Sequence, residues 1–103
     1  MLIKIANSPE EINFNGEGIA LVTLAGKQIC IIRNGDNYYA CSATCPHASG
    51  DLAKGYIDVL GNIVCPVHQY KFNLKNGRHT GGEPYFLKTY QVQNQKDGIF
   101  LII

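Results

Sequence analysis

Two short stretches, Cys45-Pro46-His47 and Cys65-Pro66-Val67-His68, constrain this chain more than any other feature, because each offers one thiol and one imidazole within a single turn. The fold has to bring two loops, separated by residues 48–64, to a common centre. Four soft-to-borderline donors of this kind select zinc or an iron–sulfur cluster over magnesium or calcium. A structural zinc site usually draws its cysteines from one short knuckle and its histidines from a separate pair. Here each loop is mixed, and the single residue between Cys45 and His47 is too tight for the usual knuckle turn. The mixed pairing suits a [2Fe–2S] rhomb with two cysteines on one iron and two histidines on the other. Structural zinc and mononuclear iron are the alternatives for the same donors.

A chain of 103 residues is one domain with room for a modest core, so a centre tying two loops together should matter to its stability. Apolar residues at 46% and charged residues at 17% are ordinary for a folded soluble protein. The formal charge of +1 is spread without a basic run, which gives no support for nucleic acid as a partner. The start, Met1 to Ile5, is too short and too soon polar for a signal peptide, and no apolar run approaches a membrane span. The expected compartment is the cytoplasm, without a membrane partner. Thiols stay reduced there, so four cysteines argue for metal rather than disulfides.

Short β-branched runs punctuated by Gly and Asn predict strands over residues 2–6, 19–24, 28–33, 38–42, 56–59, 62–65, 70–74, 87–93 and 99–103. Ser8 reads as the N-cap of one helical turn with Pro9 in first position. No segment of ten or more residues has helical periodicity, and the fold class is all-β, an antiparallel sandwich or barrel. Cys30 and Cys41 fall inside strands and read as small buried hydrophobes, Cys41 being near enough to Cys45 to approach the metal centre. His79, between Arg78 and Thr80, reads as a solvated turn residue. The ligand-bearing loops have few evident apolar anchors of their own.

The spacing C-x-H…C-x2-H, set on Cys45, His47, Cys65 and His68, resembles the signature of Rieske-type ferredoxins. Gly50-Asp51-Leu52, Gly55-Tyr56, Phe72 and Asn76-Gly77 extend the likeness over essentially the whole chain. The resemblance implies a β base with an inserted cluster-binding subdomain from about residue 43 to residue 72, within a single Rieske domain spanning 1–103. It implies one [2Fe–2S] cluster per chain, held by Cys45, His47, Cys65 and His68, and a proline-containing cover loop at Gly81-Gly82-Glu83-Pro84. It also marks departures from the high-potential respiratory members. Gly50 and Val67 stand where those proteins carry a disulfide between the loops, and Tyr70 and Phe72 stand where they carry a serine and a tyrosine that donate to sulfur.

Replacing two thiolates by two neutral imidazoles moves the oxidised centre from a charge of about −2 to near zero, which eases the arrival of an electron. After the cluster takes two histidines only His79 is left, so the chain has no 2-His-1-carboxylate iron site for oxygen activation. Flavin and nicotinamide fingerprints are lacking too. These features predict an electron-transfer protein rather than an enzyme. Its donor would be a flavin-dependent reductase, its acceptor a terminal oxygenase or other oxidoreductase, and its docking surface the tip carrying Pro46, Ala48, Pro66, Val67, Gln69, Pro84 and Tyr85 around the histidines. Two other readings are a Rieske-like small subunit of a larger enzyme such as nitrite reductase and a zinc-stabilised interaction module.

Overall fold

The computed structural model describes residues 1–103. Nine strands follow one another: β1 (Leu2–Ala6), β2 (Ile19–Leu24), β3 (Lys27–Asn34), β4 (Asn37–Ser42), β5 (Tyr56–Ile57), β6 (Asn62–Val64), β7 (Lys71–Asn73), β8 (Thr89–Gln95) and β9 (Gly98–Ile102). Helical structure is confined to 3-10 turns at Pro9–Glu11 and Leu52–Lys54. An antiparallel six-stranded sheet runs in the order β1-β9-β8-β4-β3-β2, and β5-β6-β7 form a separate three-stranded sheet. The all-β expectation holds.

Turn chemistry explains the hairpins. Leu24 pairs with Lys27, leaving Ala25-Gly26 as a two-residue connection with φ of 51° and 77°. Positive φ at both central residues gives the turn whose twist matches the flanking strands. Asn34 pairs with Asn37 across Gly35-Asp36, and Gln95 with Gly98 across Lys96-Asp97. Ser8 precedes the first 3-10 turn without capping it through its side chain; the Glu11 carboxylate instead accepts from the Asn7 amide at 2.7 Å.

Strand β3 is buried on both faces, and alternation divides its residues between two cores. Ile29 and Ile31 join Ala20, Ala40 and Leu101 in one cluster, inside the six-stranded base. Cys30 and Ile32 join Cys41, Ala43, Leu52, Ile63 and Phe72 in the other, between the base and the three-stranded sheet. Cys30 and Cys41 lie directly opposite each other and are fully buried, as expected of small core residues. The Cys30 thiol beside it, and then burial, push the Cys41 thiol well above its ordinary range, so it stays protonated.

Two expectations give way. The loops do have anchors: Leu52, Ile63 and Phe72 are completely buried, each contributing about 1.5–3 kcal/mol of transfer free energy. They lie on three separate segments and meet only in space. Strand β5 is shorter than expected because the Asp58 carboxylate accepts from the Leu60 and Asn62 amides, both at 2.9 Å, and folds residues 58–61 into a tight turn.

Candidate metal centre

The two Cys/His loops close in the same way. The Cys45 amide donates to the Gly50 carbonyl at 2.9 Å, and the Cys65 amide to the Tyr70 carbonyl at 2.8 Å, each spanning five residues. The first loop leaves the end of β4 and is fixed at its far side by Leu52, whose amide donates to the Ala43 carbonyl at 2.8 Å. Asp51 caps the 3-10 turn that carries Leu52, accepting from the Ala53 amide at 3.0 Å. The second loop connects β6 to β7 and needs left-handed backbone at His68 (φ 60°) and Gln69 (φ 59°). Two consecutive non-glycine residues there store strain at the site.

All four sequence-predicted donors come together. Cys45 and Cys65 are buried, His47 is half-buried and His68 is exposed. His47 Nδ1 lies 3.5 Å from Cys45 Sγ, and the two imidazole rings are 5.6 Å apart between centroids. Burial raises the Cys65 thiol above its ordinary range; the Val67 amide, donating to Sγ at 3.4 Å, pulls the other way, and the neighbouring Cys45 thiol raises it further. No three donors converge on a single-ion position. They divide instead into a buried thiol pair and an imidazole pair that is half-buried at His47 and exposed at His68, the kind of division a two-iron cluster with mixed ligands uses. Gly50 completes the cradle: a Cβ there would lie 2.7 Å from Cys65 Sγ and 2.9 Å from Val67 Cγ2.

Aromatic rings wall the His47 side. Tyr70 stacks on His47 with centroids 3.5 Å apart and planes 10° apart, and Tyr85 meets His47 edge-on at 5.8 Å. The Tyr70 hydroxyl donates to Glu83 Oε2 at 3.0 Å, so the loop after Gly81 reaches the site through Tyr70 and Tyr85. This hydrogen bond to Glu83 raises the Tyr70 phenol above its ordinary value. His79 is a correction to the sequence reading: it is half-buried, stacked on Tyr70 at 4.6 Å and tilted against Phe72 at 5.5 Å, with Nδ1 buried and unpartnered. Its polar neighbours in sequence suggested solvent, but its neighbours in space include Phe72 of β7 and Tyr85 of the loop after Gly81. No local pattern announces a stack assembled from three segments.

A fold of this kind with paired Cys/His loops defines a cluster-binding β domain, and residues 4–91 match the Rieske [2Fe-2S] domain family, to which the chain belongs. It therefore carries one [2Fe–2S] cluster and serves as an electron-transfer component. The chain is 30% identical over 88 residues to the 3-phenylpropionate/cinnamic acid dioxygenase ferredoxin subunit of Shigella flexneri serotype 5b (strain 8401), covering 82% of this chain and 81% of that one. Among solved structures, the ferredoxin in a complex of reduced oxygenase and oxidised ferredoxin of carbazole 1,9a-dioxygenase superposes with a TM-score of 0.78 at 24% identity, over 97% of this chain and 91% of that one. A protein described as a nitrite reductase NADPH (small subunit) oxidoreductase superposes with a TM-score of 0.83 at 19% identity, over 100% of this chain and 99% of the other. The latter two likenesses speak to the fold alone.

Proposed function

We propose that Cys45 and Cys65 ligate one iron of the cluster and His47 and His68 the other, and that the chain shuttles single electrons from a flavin-dependent reductase to a terminal oxygenase without catalysing a reaction of its own. The observation that carries this reading is the pair of identically closed loops, which puts two thiols inside and one imidazole, His68, at the surface. When bound, the cluster supplies reversible one-electron chemistry. The protein's part is to keep water from the sulfur side with buried Cys45, Cys65 and Leu52 and to leave the His68 edge free for a partner. Exposed Pro46, Ala48, Pro66 and Gln69 surround that edge with a small, weakly charged surface, fitting a transient contact below about 1,200 Å². The cluster-binding part, about residues 43–72, and the base act as one Rieske unit over 1–103. Four free cysteines fit work in the reducing cytoplasm.

A second reading, a resident small subunit of a larger reductase, is favoured by one observation. Val59 is fully exposed and Leu60 is 79% exposed on the rigid Asp58 turn, apolar surface that a permanent partner would cover. Stoichiometric co-purification of a large partner selects this reading. The carrier reading is tested by composition and turnover: two irons and two acid-labile sulfides per chain, reduction by a flavoprotein reductase with NADH, and reoxidation by an oxygenase. Zinc without sulfide overturns it.

A further inference from the structure

We infer that Tyr70 is a positioning residue that braces the two ligand loops against each other and fixes the plane of the His47 imidazole, with Glu83 as its latch. The inference rests on the ligand assignment proposed above and concerns what holds one of those ligands in place.

Tyr70 belongs to both loops at once. Its carbonyl accepts the Cys65 amide at 2.8 Å and so closes the second loop, while its ring lies on His47 of the first at 3.5 Å and 10°. Ring and backbone together therefore span the gap between loops that no disulfide joins, since all four cysteines are free. The ring is itself fixed. His79 stacks on it at 4.6 Å, Tyr85 meets it edge-on at 5.9 Å, and its hydroxyl is held by Glu83 at 3.0 Å. A ring with such restraints cannot turn, and an imidazole lying flat against it loses rotation about χ2. His68 has no such neighbour: its ring pairs with His47 alone, and the residue is exposed. The two imidazoles are therefore unequal, one braced and one free to meet a partner.

The test uses the cluster-loaded full chain and compares Tyr70→Leu, Tyr70→Phe and Glu83→Gln with wild type. Pulsed EPR of the reduced protein reads the two histidine nitrogen couplings, and absorbance decay in excess chelator reads cluster release. Leucine removes the stack, so one nitrogen coupling should shift and release should speed up about tenfold, the scale of a lost aromatic pair. Phenylalanine keeps the stack and should leave both couplings unchanged. Like Glu83→Gln, it should raise amide hydrogen exchange in residues 81–86. A purely structural role would hasten release without moving a coupling. Unchanged couplings and release in Tyr70→Leu overturn the brace, as does failure of both Tyr70→Leu and Tyr70→Phe to load a cluster. Wild-type protein lacking two nitrogen couplings overturns the ligand assignment instead, before any variant is compared.

Discussion

Gly50 and Val67 touch across the two ligand loops, with so little room that a Cβ at residue 50 would sit 2.9 Å from Val67 Cγ2 and 2.7 Å from Cys65 Sγ. These are the places where, by the family resemblance, respiratory members carry a disulfide. Here a van der Waals contact stands in its place, and glycine is required by space, since its φ is not positive. Gly50→Ala must displace the Cys65 sulfur or the Val67 side chain. Overpacking of this sort costs about 1–3 kcal/mol. The expected outcome is a lower iron-to-protein ratio and a lower melting temperature, both measured on protein purified without oxygen; wild-type iron content would contradict it.

The reduction potential should lie low in the Rieske range. Donors to sulfur stabilise the reduced state, and the site has few. The Val67 amide reaches Cys65 Sγ at 3.4 Å, Phe72 has no hydroxyl, and the Tyr70 hydroxyl is spent on Glu83. A midpoint nearer about −150 mV than +300 mV follows. Each 59 mV is about tenfold in equilibrium for one electron, so this value suits a nicotinamide-linked donor. Voltammetry giving a midpoint above about 100 mV at neutral pH, well up the same range, would reverse the conclusion.

Much of this was legible in the chain. The signature on Cys45, His47, Cys65 and His68 needs no tertiary information, because the cysteine and histidine of each loop lie within a turn. Strands β1 and β2 fall where alternation and turn residues place them, and the unbroken apolar run of β3 reflects its burial on two faces. What stayed hidden is non-local. His79 looked solvated because its stack with Tyr70 and Phe72 joins residues that share no local pattern. Leu52, Ile63 and Phe72 gave no sign of a common core because they lie on three separate segments that meet only in the fold.

Asp58 should give the protein an acid-sensitive turn. Burial raises its carboxyl, but the Asn62 amide and carboxamide, the Leu60 amide and Lys71 at 3.8 Å outweigh burial and leave it below the ordinary carboxylate range. A depressed folded value means stability that is fully present above the unfolded pKa of about 3.9 and lost as pH falls through the lower folded value. Asp58→Ala should cost about 2 kcal/mol at neutral pH, the scale of hydrogen bonds to a charged acceptor. It should also flatten the acid limb of a melting-temperature profile between about pH 5 and 2. An unchanged acid limb in the variant would assign that sensitivity to other groups.

Gln69 offers a way to separate the stability of the polypeptide from retention of the cluster. It follows His68 in left-handed backbone, φ 59° after 60°, and its side chain makes one long contact, accepting from the Tyr56 hydroxyl at 3.4 Å. A non-glycine residue in this conformation costs about 1–2 kcal/mol. Glycine relieves that cost and loses about 0.5–1 kcal/mol of chain entropy on folding. Gln69→Gly should therefore stabilise the fold by about 0.5–1 kcal/mol, raising the melting temperature by about 4 °C. The same freedom loosens the closure between His68 and Tyr70, so cluster release into chelator should become faster although the fold is more stable. Ala25→Gly is the control: it relieves positive φ in the β2–β3 turn, outside both Cys/His loops, and should raise the melting temperature without changing the release rate. If the two variants release the cluster at the same rate, the left-handed pair in the second loop has no part in holding it.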